Sequence, residues 1–505
     1  MKPAKSVVAL VFAFALVAGP PALAVVQAEN EFTTGVHLYE KAGVSGALAI
    51  WSAWLKGIRQ YPTVYSKRAI DLDRKDATDY NNRGVDKSNR GDRDGAIADY
   101  NRAIDLNPKL AAAYFNRGIV KSERDDNDSA IADYSRAIKL NPKFTAAYAA
   151  RGSARSAKGN KDGAITDYSR AIKLDPKCAN AYYDRGIAKS DKGDHDGAIA
   201  DYSHAIELNP KLANAYNNRG IAKSDKGDHD GAIADYSRAI ELDPRLAAAY
   251  DNRGGDKCDK GDKDGAIADH SRAIELDPEF ATAYTNRGIA KNDKGDHAGA
   301  IADYDRAIEL DPKFAIAYSN RGNAMRAKGD KDGAIADYSR AIELDPKYPA
   351  AYFDRGIAHY LQKNWLKASG DFDAASQQEK PRDYGTLLAC VVQTRLGQGE
   401  AGRKELRARL DQRRDAKPSD WVSQVGSFLL GTLDEAALIK AADSPDAKKA
   451  RGQRCEAWYF AGMQRLATSQ NNEAANCFRK CIATELKTFT EYQLATAELQ
   501  WLGEK

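Results

Sequence analysis

This sequence predicts an all-α fold, a solenoid of stacked helical hairpins, and three observations carry that expectation. Tyrosine returns every 34 residues, at Tyr80, Tyr114, Tyr148, Tyr182, Tyr216, Tyr250, Tyr284, Tyr318 and Tyr352. Glycine follows in the same register from Gly84 to Gly356. Alanines keep the period from Ala96 to Ala368 and from Ala103 to Ala375, and proline keeps it from Pro108 to Pro346. A unit of this length cannot bury its apolar stripe alone, so neighbours must stack to make a core.

The first element is an address. Lys2 and Lys5 precede an apolar run from Val7 to Ala18, then Gly19, Pro20 and Pro21. Small residues beyond offer cleavage after Ala24 or Ala28. Residues 1–28 have the layout of a secretory signal peptide, with a core short for a membrane span. The expected location is periplasmic or secreted, with no membrane span after cleavage; an uncleaved anchor is the competing reading. No cysteine precedes Cys178, so no lipid-bearing cysteine follows the signal. Residues 29–76 read as a degenerate N-terminal helical cap. YSKRAIDLD (65–73) imitates the second helix of later units, and Trp51 and Trp54 lie in a worn first helix.

Nine regular units fill 77–382. In 213–246 a first helix ends at Gly227, and a second is stopped by Pro244, which lacks the amide needed to continue. Asp228 is placed to cap the second helix, whose stripe is Ala232, Ile233, Tyr236, Ala239 and Ile240. Gly220 and Ala232 are small where two backbones approach. Each unit also carries Arg and, sixteen residues on, Asp, from Arg83 with Asp99 to Arg355 with Asp371. A repeated bidentate ion pair across the hairpin is the expectation.

Residues 383–505 continue helical without the clean period. Short helices are expected around Trp421–Leu430 and Asp434–Ala442. Trp458, Gly462, Ala474 and Phe478 restore the frame as a degenerate repeat near 451–484, with Cys481 in place of an alanine, and a closing helix follows through Tyr492, Leu499 and Trp501. Antiparallel packing would bring Cys455 near Cys481, leaving two readings open: a disulfide, or small buried side chains.

The recurring aromatic, Gly, Ala, aromatic, Ala and Pro resemble the tetratricopeptide (TPR) family. The resemblance implies antiparallel helix pairs stacked into a right-handed superhelix whose first helices line a concave groove. Two departures stand out: Arg replaces the usual Leu before each Gly, and Lys mostly replaces Tyr three residues after it. The tail is similar to the end of NlpI-type adaptor lipoproteins of bacterial envelopes.

On the groove face, the sixth position of the units holds Asn82, Asn116, Ala150, Asp184, Asn218, Asn252, Asn286, Asn320 and Asp354. This row resembles the asparagine ladder of O-linked N-acetylglucosamine transferase, which grips an extended peptide. An amide both donates and accepts, so it serves any peptide backbone. A row preserved only by repeat duplication is the alternative. Phe115, Tyr183 and Phe353 are candidate aromatic anchors. Lys and Arg are missing from the second, fifth, sixth and ninth positions, which argues against capture of a free carboxy terminus.

Composition and motifs exclude more than they assign. The 76 basic and 72 acidic residues are finely mixed, with a formal net charge of +4, so nucleic acid is not an expected partner. Asp194-His195-Asp196-Gly197 lacks the remaining ligands of a calcium loop, with Lys192 and Ser203 where acids are needed. Gly397–Gly402 matches G-x-G-x-x-G without a strand before it and reads as a helix-to-helix turn. His195, His229 and His297 share one repeat position, and no second metal ligand is expected within reach of them. Neither a catalytic residue nor a cofactor is expected, and the chain reads as a non-enzymatic adaptor for proteins or peptides. A component that binds cell-envelope polysaccharide is the alternative, and would favour clustered aromatics.

Overall fold

The computed structural model describes residues 76–378, 383–413, 420–487 and 489–503. The signal peptide and all but the last residue of the N-terminal cap fall outside them. Among the described residues there are 25 helices and no strand, an all-α solenoid of paired helices. No described helix is long and apolar enough to cross a membrane.

The chain divides into two compact parts at Leu174. The first contains three hairpins: α1 (Ala77–Asn89) with α2 (Arg93–Leu106), α3 (Ala111–Ser122) with α4 (Asn127–Leu140), and α5 (Thr145–Ala157) with α6 (Lys161–Leu174). The second continues with α7 (Ala179–Ser190) and α8 (His195–Leu208), α9 (Ala213–Asp225) and α10 (His229–Leu242), α11 (Ala247–Asp259) and α12 (Lys263–Leu276). Then come α13 (Ala281–Asp293) and α14 (His297–Leu310), α15 (Ala315–Ala327) and α16 (Lys331–Leu344), α17 (Pro349–Leu361) and α18 (Trp365–Ser376).

The unit at 213–246 shows why the sequence folds this way. Helix α9 stops because Gly227 takes φ +80°, a left-handed conformation that glycine adopts without a Cβ penalty. The Asp228 side chain then accepts the Gly231 amide at 3.0 Å and starts α10. Tyr236 of α10 lies across Gly220 of α9, where an added Cβ would sit 2.6 Å from its ring. Ala232 and Ala239 of α10 are fully buried, and Ala222 of α9 packs on Tyr202 of the preceding unit. Small residues thus set the close approach of the helices, and the tyrosine fills what remains.

Past the ninth unit the helices are α19 (Asp383–Arg395), α20 (Gly399–Asp411), α21 (Trp421–Leu429), α22 (Glu435–Ala441), α23 (Ala447–Ala467), α24 (Asn471–Ile482) and α25 (Thr490–Trp501). The two short helices and the closing helix stand where the sequence placed them. The turn in the Gly-rich segment is shorter than expected: Gly397 carries the positive φ, while Gly399 and Gly402 are helical. Phe478 lies over Gly462 as Tyr236 lies over Gly220, so α23 and α24 reproduce the repeat frame. One core runs from Phe353 in α17 to Leu499 in α25, joining the ninth unit to the C-terminal helices. Helix α25 also reaches back beyond the final hairpin. Gln493 accepts from Arg326 of α15 at 2.5 Å, and Glu498 accepts from Tyr360 of α17 at 2.6 Å.

Candidate functional site

The expected Arg–Asp pair forms in all nine units. Each arginine grips its aspartate with Nε on one carboxylate oxygen and Nη2 on the other, at 2.5–2.9 Å. The aspartates are buried, unlike the exposed ion pairs that contribute little to stability. The same carboxylates also explain the lysine departure. Lys87, Lys121, Lys189, Lys223, Lys257 and Lys291, with Arg155 in the third unit, bring a second cation to within 2.7–3.0 Å. Met325 and His359 replace that cation in the last two units; His359 Nε2 stands 3.9 Å from Asp371.

The arginine does more than pair. Nη1 reaches a residue sixteen positions back in the preceding unit: Arg219 to Ser203, Arg253 to Ser237 and Arg287 to Ser271, at 3.0–3.1 Å. Its guanidinium carbon lies 4.9–5.7 Å from the ring centre of the unit's repeating tyrosine. One side chain thereby ties its own hairpin to the unit before it. The hydrogen bond to Asp235 holds the Arg219 guanidinium above its ordinary range, against the opposing effect of burial. Burial pushes the Asp269 carboxyl up, but hydrogen bonds and charge from Arg253 and Lys257 outweigh it and the net shift is downward.

This framework orients the sixth-position row. Within the first part, Asn116 donates to Asn81 at 2.9 Å, and Asn82 accepts from Asn81 at 3.4 Å. Within the second, Asn218 donates to the Tyr183 hydroxyl at 3.1 Å, Asn252 to Asn217 at 3.1 Å, and Asn286 to both Asp251 oxygens at 3.1 and 3.3 Å. Asn116, Asn218, Asn252 and Asn286 thus each reach the fifth position of the preceding unit. Asn320 is half-buried at the equivalent place, and Asn82 is exposed. Asp184 replaces the amide in the fourth unit, where burial pushes its carboxyl up to about 6.

The three aromatic candidates are not brought together. Phe115 packs on Tyr134 and Phe144, with ring centres 5.8 and 4.7 Å away. Phe353 is only 6% exposed and packs on Phe372. Tyr183 meets the Tyr202 ring at 5.9 Å, and its hydroxyl accepts from Asn218.

Two arrangements escaped the sequence reading, one within the sixth unit and one between the fifth and sixth. His270 stands where other units have Tyr or Phe and is buried against Asp251, Nδ1 to Oδ1 2.7 Å. These two departures fall in one unit, and that coincidence was the available signal. The expectation that the shared-position histidines lack a second ligand is corrected at His229. Its Nδ1 lies 2.5 Å from Asp256 of the next unit, and Asp259 completes a set of donor atoms within 4.8 Å of one another. The hydrogen bond that protonated His229 gives to Asp256 raises the His229 pKa, and any divalent cation held here would have to displace that proton.

At the C-terminal end, Arg395 pairs with Glu498 and lies over Trp365 and Trp501, 4.5 and 5.7 Å from their ring centres. It borders a cavity of about 380 Å³ lined also by Cys390, Thr394, Met463, Gln464 and Asn471. The charged group of that wall is therefore already committed to an internal partner.

The family profile described as TPR repeat matches residues 89–123, 152–190, 188–227, 256–293, 290–329 and 322–363. The profile described as Tetratricopeptide repeat matches 111–144 and 213–246. Among solved structures, MamA is similar at 32% identity over 34% of this chain and 92% of its own, with a TM-score of 0.30. YrrB, described as a TPR protein with an unusual peptide-binding site, is similar at 22% identity over 36% of this chain and 95% of its own, with a TM-score of 0.33. A tetratricopeptide repeat protein from Parabacteroides merdae is 18% identical over 49% of this chain and 98% of its own, with a TM-score of 0.42. With its repeat profiles matched and its hairpins built on the same Tyr, Gly, Ala and Pro frame, the chain belongs to the tetratricopeptide-repeat family.

Proposed function

We propose that this chain is an exported adaptor that holds extended protein segments along the face bearing the sixth-position amides. The coarser part follows from the family: TPR arrays are protein–protein interaction scaffolds. The observation that carries the finer part is the tethering of the row. A side-chain amide has two N–H donors and a carbonyl. Asn116, Asn218, Asn252 and Asn286 each commit an N–H to the preceding unit, which fixes their orientation while retaining capacity for a peptide N–H or C=O. Preorganised polar groups lose little entropy when a ligand arrives. The polysaccharide alternative loses support because Phe115 and Phe353 spend their faces on internal packing. Export rests on the layout of residues 1–28.

The binding test selects unstructured peptides from a displayed library on the mature chain, then measures their affinity by fluorescence anisotropy. Asn218→Ala and Asn252→Ala together should weaken selected peptides at least tenfold while helix content is unchanged. Unchanged affinity would place recognition elsewhere. Amino-terminal sequencing of protein recovered outside the cytoplasm checks export separately: the expected first residue is Val25 or Glu29, and an intact Met1 contradicts cleavage.

A further inference from the structure

The worn repeat of α23 and α24 differs from the regular units at two positions that face each other. Trp458 and Phe478 take the places of the repeating aromatics, which puts Cys455 at the first position of the unit and Cys481 at the twenty-seventh. In the regular units those places hold small non-thiol residues: Ala213 and Ala239 in the fifth, Ala179 and Ala205 in the fourth, Ala281 and Ala307 in the seventh. No regular unit has cysteine at either place, and this unit has it at both. The side chains are fully buried, and their sulfurs lie 3.4 Å apart across the antiparallel helices. Cys477, one helical turn before Cys481, is buried as well.

We propose that Cys455 and Cys481 close into a structural disulfide that staples α23 to α24, with a disulfide of the glutathione or thiol-oxidoreductase class as oxidant. Sulfurs in contact on antiparallel helices need only a small approach to reach bonding distance. In the exchange, the thiolate of one cysteine attacks a sulfur of the external disulfide, forming a mixed disulfide and releasing one thiolate. The second cysteine, as thiolate, attacks the protein sulfur of that mixed disulfide and expels the remaining thiol. The pair gives up two electrons and two protons, and the oxidant leaves as two thiols. The step belongs to the open or folding hairpin, for two reasons. Both sulfurs are inaccessible once α24 docks. The contact with Cys455 and burial, with the neighbouring carboxyls of Glu491 and Glu456 adding to them, oppose thiolate formation at Cys481 in the closed hairpin. The link closes a loop of the polypeptide in its unfolded state and so stabilises the terminal repeat, on which α25 packs.

The test refolds the reduced full chain in a glutathione redox buffer, quenches it with acid, alkylates with N-ethylmaleimide and maps the peptides by mass spectrometry. The expected product is a cross-linked peptide pair holding Cys455 and Cys481, with Cys178, Cys258, Cys390 and Cys477 alkylated. Dithiothreitol should then lower the melting midpoint of this chain. A Cys455→Ala/Cys481→Ala variant, which restores the residues of the regular units, should keep its helix content and melt at a temperature that dithiothreitol does not change. Refolded wild-type chain with N-ethylmaleimide on both Cys455 and Cys481 would overturn the proposal, and so would a link from either one to a different cysteine.

Discussion

Replacing Asp235 by Asn takes the charge from a carboxylate that serves Arg219 and Lys223 together. Its side chain is 7% exposed, and those of the two cations are 19% and 22% exposed. Breaking a buried pair by removing one partner costs about 3–5 kcal/mol. Both cations retain some access to water, so the lower end applies, about 3 kcal/mol. At about 1.4 kcal/mol per decade, amide hydrogens protected by the hairpin of α9 and α10 should exchange roughly 100-fold faster. The control is Asp196→Asn, which removes the partner of Lys226 in a pair whose side chains are 80% and 44% exposed. That change should cost about 0–1 kcal/mol, and less at high salt. Native-state hydrogen exchange followed by mass spectrometry reads both variants hairpin by hairpin, which suits an array that need not unfold in one step. Comparable acceleration in the two variants, or less than about fivefold for Asp235→Asn, would refute the assignment of the Arg–Asp row as a buried framework.

Two further perturbations probe the packing and the face. Gly220→Ala drives a methyl into the Tyr236 ring and should destabilise its hairpin by about 1–3 kcal/mol through overpacking. Gly227→Ala meets no atom within 4 Å, so it should cost only the left-handed backbone strain, about 1–2 kcal/mol; hydrogen exchange of the α9 and α10 hairpin left unchanged by Gly220→Ala contradicts the packing account. Asp184, pushed up to about 6 by burial, holds its proton more tightly in the folded chain than in the unfolded one. The hairpin of α7 and α8 should therefore lose stability as pH rises from about 4 through 6 and level off above. Asp184→Asn should flatten that dependence and be more stable at pH 8 by about 1–3 kcal/mol in denaturant titrations; an unchanged pH profile contradicts the burial.

Much of this fold is legible because its determinants are local and copied. Gly227 ends a helix, Asp228 starts the next and Gly220 admits Tyr236, all within one unit that recurs. The Arg–Asp pair was legible for the same reason, since both partners lie on one hairpin. What escaped crosses unit boundaries. The polar residue sixteen positions before the arginine, Ser203 for Arg219 and Asn101 for Arg117, and the amide-to-fifth-position bonds join neighbouring units, so no period within a single unit reveals them. The Lys223 contact was the exception: it lies inside the hairpin, and the spacing Arg, then Lys four residues on, was present but went unread. The aromatics misled in another way. Phe115, Tyr183 and Phe353 each pack on an aromatic ring of their own second helix, and Phe353 is buried further because the core it joins continues into the C-terminal helices. The return of α25 to α15 and α17 depends on contacts more than 130 residues apart, such as Tyr360 with Glu498, for which one sequence holds no signal.

The central claim is that protein segments lie against the amide-bearing face. A photoreactive benzophenone side chain placed at Asn214, an exposed site one turn before Asn218 on α9, tests it directly against the same group at Ala234, exposed on α10. With a selected peptide bound to the full chain, the account predicts cross-links from position 214 that an excess of unlabelled peptide abolishes, and none above background from position 234. Cross-links from 234 equal to or exceeding those from 214 would contradict it.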